Sequence, residues 1–197
     1  MRLILASASP RRRELLARLR LPFEVWPSGI DEVLAPGIPA PALATALARA
    51  KARDVADHLR AAGEEPALVL GADTLVVLDG RPLGKPATRD EARAMLRALR
   101  GRSHEVLTAV VLIQVPGERE TAETVVSQVH MRPYGDLEID AYVATGEPDD
   151  KAGAYAVQGA GGHLVSRVEG CYTNVVGLPL GTTARLLRAS GLAPADP

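Results

Sequence analysis

Aromatic and sulfur-bearing side chains are scarce in this chain: one Trp, one Phe, four Tyr and one Cys in 197 residues. At 3% aromatic content, the stacking platforms that hold single-stranded nucleic acid are missing. Net charge is missing too. The formal value is -1 and no basic stripe runs along the sequence, which argues against bulk electrostatic binding to nucleic acid or an acidic membrane. Any anion site must be local. The lone cysteine, Cys171, excludes an intrachain disulfide and a cysteine-built zinc site, and suits a reducing compartment. No activating base lies near it in sequence, so it reads as a packing residue. No run approaches the roughly 20 apolar residues of a membrane span, and the apolar stretch 3–6 is too short for a signal peptide. A cytoplasmic protein is expected, with neither nucleic acid nor membrane as partner.

Some catalytic signatures are absent as well. His104 has no second histidine at metal-binding spacing and reads as a hydrogen-bonded structural residue. Gly84-Lys85 fails as a phosphate loop, because Pro86 stands where Ser or Thr is needed. No Ser–His or Cys–His arrangement suggests nucleophilic catalysis.

What is present is an ordinary globular composition, 47% hydrophobic and 24% charged, long enough for one domain over 1–197 with two lobes. Residues 193–197 read as a frayed tail. The most informative stretch is Ser7-Ala8-Ser9-Pro10-Arg11-Arg12-Arg13-Glu14-Leu15-Leu16, which follows a short strand. Ser9 suits a helix N-cap and Pro10 the first helical position. Arg12, Leu15, Leu16 and Leu19 share one helical face, so Arg12 heads an apolar stripe and points along the interior. A helix N-terminus with hydroxyls and guanidinium groups suits phosphate. Ser7, Arg11 and Arg12 are candidates for that grip; Arg13 reads as solvated.

A second short strand is expected over 23–26. It is followed by Asp31-Glu32 in a proline-rich loop, where paired acids are either solvated or serve a divalent metal. A long helix over 40–60 aligns Leu43, Leu47, Val55 and Leu59, with Lys51 at the centre of the line. Lys51 either snorkels outward or reaches into a cleft to meet an anion. Residues 67–78 form the most hydrophobic stretch, one buried strand or two meeting at Gly71. Asp73 lies inside it, where an ionised carboxylate is costly unless paired, hydrogen-bonded or metal-bound. Asp79-Gly80 signals a hairpin turn. Thr88 and Glu91 suggest a capping box for a helix over 89–100. Strands follow at 105–115 and 121–129, and a helix at 136–144. A glycine-rich loop spans 146–162. A strand at 164–168 and a helix at 180–189 close the chain. Lys85 is a candidate phosphate ligand. Gln158 and the glycine backbone either meet the edge of a flat ligand or merely turn the chain.

Together these features indicate an α/β protein with a polyanion cleft: cations from Arg11, Arg12, Lys51 and Lys85, acids from Glu32 and Asp73, the set that metal-assisted phosphoryl or nucleotidyl chemistry needs. The chain also resembles the Maf proteins, septum-formation-inhibitor-like nucleoside triphosphate pyrophosphatases. The resemblance rests on Ser7-Ala8-Ser9-Pro10-Arg11-Arg12, Asp31-Glu32, Ala50-Lys51-Ala52, Gly71-Ala72-Asp73-Thr74 and Leu83-Gly84-Lys85-Pro86. It continues through Gly146-Glu147-Pro148, Asp150-Lys151-Ala152-Gly153, and Glu169-Gly170 followed by Asn174-Val175-Val176-Gly177-Leu178-Pro179.

The resemblance implies a mixed twisted sheet flanked by helices, with two lobes and a deep cleft like that of inosine-triphosphate pyrophosphatases, and often a homodimer. It implies hydrolysis of a nucleoside triphosphate to monophosphate and pyrophosphate with a divalent cation, Mg²⁺ or Mn²⁺. By motif, Asp73 would accept the proton of the attacking water and share metal binding with Glu32. Ser7, Arg11, Arg12, Lys51 and Lys85 would grip the triphosphate. Arg12, Thr74 and Gln158 resemble the branch that takes dTTP and UTP, with modified pyrimidine nucleotides within its scope, rather than the branch that takes 7-methyl-GTP. A glutamine amide suits the O4 and N3–H edge of uracil or thymine. Ala156 departs from the glycine expected there, which matters only if its φ is positive. The rival reading is a non-enzymatic, nucleotide-binding regulator of cell division.

Overall fold

The computed structural model describes residues 1–30, 37–63, 66–117 and 119–193. It begins with β1 (Arg2–Leu5), α1 (Pro10–Ala17), β2 (Glu24–Val25) and α2 (Ala40–Ala61). Then come β3 (Ala67–Leu78), β4 (Arg81–Leu83), α3 (Arg89–Leu99) and the long pair β5 (Ser103–Val115) and β6 (Glu120–Met131). The chain continues through α4 (Asp136–Ala144) and three short 3₁₀ turns to β7 (Val165–Glu169), α5 (Tyr172–Val176) and α6 (Leu180–Ala189). The sheet order is β2-β1-β3-β5-β6-β7, with β4 pairing β3. Both pairings of β1 are parallel, and the remaining ladders are antiparallel. The class is mixed α/β, as the sequence led us to expect.

β3 is one continuous strand, not two meeting at Gly71. Its two faces do different work, as the period of two dictates. Ala67, Val69, Leu75 and Val77 pack with Leu43, Leu47, Val55 and Leu59 of α2 in one buried cluster. Gly71 lies on that face because α2 presses against it. A Cβ there would stand 2.3 Å from the Ala48 carbonyl oxygen and 2.8 Å from the Ala52 Cβ. On the other face, Leu68, Leu70 and Ala72 join Leu15 and Leu16 of α1 and Leu186 and Leu187 of α6. Further along that face, Val76 and Leu78 belong to a third cluster, with Leu96 and Leu99 of α3 and Ile139 and Tyr142 of α4. Each fully buried leucine contributes about 1.5–3 kcal/mol relative to exposure. Thr74 sits between the second and third clusters.

Pairing along the β1 side of β3 is interrupted. β1 covers Ala67 to Leu70, and β4 covers Val76 to Leu78. Between them β1 leaves the sheet plane to become the start of α1. The interrupted stretch carries Asp73 and Thr74, and the cleft opens there.

Local signals mostly behave as the sequence predicts. Asp79 and Gly80 take φ of 53° and 75°, the left-handed pair a two-residue hairpin needs. The Thr88 hydroxyl accepts the Glu91 N–H at 3.1 Å, but Glu91 returns its carboxylate to the Ala87 N–H at 2.7 Å, one residue outside a true capping box. α1 stops at Ala17, short of Leu19. Arg49 and Arg53, on the outer line of α2, both reach Glu120 of β6, at 2.6 and 3.2 Å. Residues 194–197 of the expected tail lie outside the described residues.

Candidate active site

Residues of α1, α2, β3, α5 and the loop 147–159 converge on a cleft of about 740 Å³. Its floor is the interrupted stretch of β3. One wall is the start of α1 with Gly177, and the opposite wall is the loop 147–159.

Lys51 reaches inward. It is 5% exposed and its Nζ donates to Asp73 Oδ1 at 2.6 Å, with Asp73 itself 3% exposed. The apolar line of α2 brings Lys51 over β3, and the missing Cβ of Gly71 lets the helix come close enough. The two choices left open by position alone are thereby decided: Lys51 lies in the cleft, and the buried carboxylate is paired. Both side chains line the cavity.

Arg12 lies on the opposite face of β3, buried as its place in the α1 stripe predicts. Its guanidinium is held by hydrogen bonds to several described residues. Nε donates to the Gly177 carbonyl at 3.0 Å, Nη1 to Ser7 Oγ at 3.3 Å and Nη2 to Thr74 Oγ1 at 3.1 Å. Thr74 Oγ1 shares a 2.9 Å hydrogen bond with Thr108, whose hydroxyl donates to the Asn174 carbonyl at 2.9 Å. The Ser7 hydroxyl also accepts the Ser9 N–H at 3.3 Å. Ser9 caps α1 by accepting the Arg12 N–H at 3.5 Å. Ser7, Arg11, Arg12, Lys51, Asp73, Thr74, Lys85 and Gln158 all line the one cleft. Glu32 lies outside the described residues. Arg13 is exposed, as expected for a solvated position.

The loop wall holds what sequence reasoning missed. Glu147 Oε1 accepts the Tyr142 hydroxyl at 2.9 Å and the Gly161 N–H at 3.0 Å, while Oε2 accepts the Ala160 N–H at 3.0 Å. Burial pushes this carboxyl up, but the two backbone N–H groups, the Tyr142 hydroxyl and Lys151 outweigh it and hold it below the usual range. Lys151 contacts Asp150 Oδ1, and that hydrogen bond lowers the Asp150 carboxyl. Behind the wall, His104 Nε2 and the Tyr155 hydroxyl share a 2.7 Å hydrogen bond. Burial, with His130 adding to it, pulls His104 down to about 4. The His104 Nδ1 is buried without a hydrogen-bond partner among the described residues. Only the glycine density of the loop could have signalled this arrangement. Ala156 is not in the left-handed region; among the described residues the alanine with positive φ is Ala154, at 58°.

Among the described residues, no group of three or more His, Cys, Asp or Glu side chains could hold a metal ion. No described helix is long and apolar enough to cross a membrane.

A mixed α/β sheet, with one edge pairing interrupted at a buried carboxylate and faced by arginine and lysine, is the kind of site that suits a polyanion. A family model described as Maf-like protein matches residues 2–190, and the chain belongs to that family. Curated relatives named dTTP/UTP pyrophosphatase are similar over nearly their whole length. One from Anaeromyxobacter sp. (strain Fw109-5) is 53% identical, with 96% of this chain and 90% of the relative covered. One from Moorella thermoacetica is 54% identical over 97% and 96%, and one from Halalkalibacterium halodurans 50% identical over 97% and 97%. Among solved structures, a nucleoside-triphosphatase (dITP/XTP pyrophosphatase) from Mycobacterium abscessus matches 96% of this chain and 94% of that one at a TM-score of 0.44 and 14% identity.

Proposed function

We propose that this chain hydrolyses dTTP and UTP to the monophosphate and pyrophosphate. The observation that carries the reading is the Lys51–Asp73 ion pair on the cleft floor, between an arginine-lined helix start and Lys85. An ion pair this deep costs desolvation of both charges, which marks it as a site rather than a stabilising device. Membership of the family and the printed names of relatives about 50% identical support the substrate class.

In this reading Ser7, Arg11, Arg12 and Lys85 bind the triphosphate, helped by the free N–H groups at the start of α1. Lys51 meets charge that builds on the phosphoryl oxygens. Asp73 accepts a proton from the water that attacks the α-phosphorus, and the leaving group is pyrophosphate. Thr74 and Arg12 hold the phosphate wall in register with the floor. Gln158, exposed in the cleft, presents its amide to the base. Its carbonyl accepts N3–H and its NH₂ donates to O4.

The donor set suits a divalent cation. Magnesium is commonly held by one or two carboxylates, with waters and substrate phosphates completing its shell. Asp73 fits that mode, and Glu32 is the second carboxylate of the reading. Mg²⁺ or Mn²⁺ would supply neutralisation of the charge on the leaving pyrophosphate. A cytoplasmic location and a homodimer complete the proposal.

The test is pyrophosphate release from dTTP, UTP, CTP, GTP and 7-methyl-GTP with Mg²⁺ or Mn²⁺, wild type beside Asp73→Asn and Gln158→Glu. Metal-dependent release from dTTP and UTP, lost in Asp73→Asn, supports the whole reading. Unchanged base preference in Gln158→Glu overturns the role of the amide. No release from any nucleotide favours a binding regulator instead.

A further inference from the structure

The loop that carries Gln158 is held by one carboxylate. We infer that Glu147 is a positioning residue that sets base selectivity by fixing this loop; the inference rests on the reading of Gln158 given above. Glu147 Oε1 and Oε2 take the Gly161 and Ala160 N–H groups, both at 3.0 Å. The Tyr142 hydroxyl donates to Oε1 at 2.9 Å and in turn accepts the Ala156 N–H at 3.2 Å. The segment 156–161 is therefore tied at both ends to one Tyr–Glu pair, and Gln158 projects from the middle.

The glycines of the loop answer to this arrangement. Gly159 has φ of +85°, and a Cβ on it would lie 2.7 Å from Glu147 Oε2. A Cβ on Gly161 would lie 2.5 Å from both the Tyr142 hydroxyl and the Ala156 carbonyl. These residues are small so that the backbone can close on Glu147 and Tyr142, not because glycine itself binds a ligand. Glu147 also lines the cleft. Three donors converge on its carboxylate, and its charge would repel a triphosphate. It acts on substrate through Gln158 and not by contact.

Glu147→Gln tests this with nearly unchanged shape, because an amide NH₂ must then face a backbone N–H. The expected result is a rise in KM for dTTP and UTP of about tenfold, with kcat changed by less than about threefold, as the loss of a charge-assisted hydrogen bond would give. The preference for UTP over CTP falls by a similar factor, and Glu147→Asp restores part of it. Tyr142→Phe, which removes one donor and keeps the ring, moves the same ratio less far and serves if Glu147→Gln does not fold. In the double variant with Gln158→Ala, the selectivity losses do not add. If Gln158→Ala lowers the UTP/CTP ratio while Glu147→Gln and Tyr142→Phe leave it unchanged, Glu147 is merely structural and the inference is overturned. If Gln158→Ala itself leaves the ratio unchanged, the reading of Gln158 has failed, whatever Glu147 does.

Discussion

The two walls of the cleft are built by different means. The α1 wall and the floor consist of charged side chains on regular elements. Arg12 is buried on α1, Lys51 on α2 and Asp73 on β3, and each is placed by the apolar residues of its own helix face or strand. The other wall is a loop whose shape comes from backbone N–H groups closing on Glu147 and Tyr142. A site set into helices and strands is expected to be exacting about chemistry, and a site on a loop adaptable about substrate. The difference also decides what substitution does: on the first wall it should cost rate and stability, on the second mainly discrimination.

The largest expected effect is on the floor. Asp73→Asn should lower turnover by about 10²–10⁴-fold, the range for loss of a general base, while a nucleotide still binds by calorimetry. Retained turnover would break the assignment of chemistry to this wall. Next is Lys51→Met. Removing one partner of a buried ion pair costs about 3–5 kcal/mol, so the urea midpoint should drop sharply; an unchanged midpoint would mean the pair is not buried in solution.

Acid should act from behind the loop wall. His104 titrates near 4 in the folded chain, against an ordinary value of 6.5. Below 6.5 the unfolded chain binds the proton more readily. Its contribution to stability is therefore complete above pH 6.5 and is lost as pH falls toward about 4. The loss is about 3 kcal/mol for a shift of this size. Urea midpoints between pH 7 and 4.5 should fall more steeply for wild type than for His104→Asn, and parallel curves would refute the buried neutral imidazole. The smallest effect sharpens the contrast. Gly159→Ala meets both a positive φ and Glu147, a strain of about 1–3 kcal/mol, and should raise KM for dTTP about threefold and lower the thermal midpoint by a few degrees.

Legibility in the sequence follows the same division. Arg12, Lys51 and Asp73 stand out because each is a charge inside an apolar pattern, and an ionised group in such a place must have a partner. The helix at 136–144 and the hairpin at Asp79-Gly80 were legible from periodicity and turn chemistry. The continuity of β3 through Gly71 was not, since a glycine in a strand reads equally as a break or as a close approach. Glu147 stands in the Gly146-Glu147-Pro148 motif, but its role was not legible. Its partners are backbone groups 13 and 14 residues away, and backbone N–H groups look alike in every sequence. Ser7 and Arg11 were legible from the helix start and Lys85 and Gln158 only as open alternatives on loops, while the role of Thr74 drew on resemblance alone, because a threonine in a strand carries no pattern of its own.

The guanidinium of Arg12 has a consequence for how the protein is made. Its anchor on Gly177 joins positions 165 residues apart, while β1, just ahead of it, pairs with β3 far earlier in synthesis. An emerging chain can thus assemble the sheet around β1 and β3 long before the arginine finds its carbonyl acceptor. The Arg12 guanidinium should be set last, once α5 and Gly177 have left the ribosome, so a nascent chain that stops before them would hold the β1–β3 pairing with its arginine unanchored.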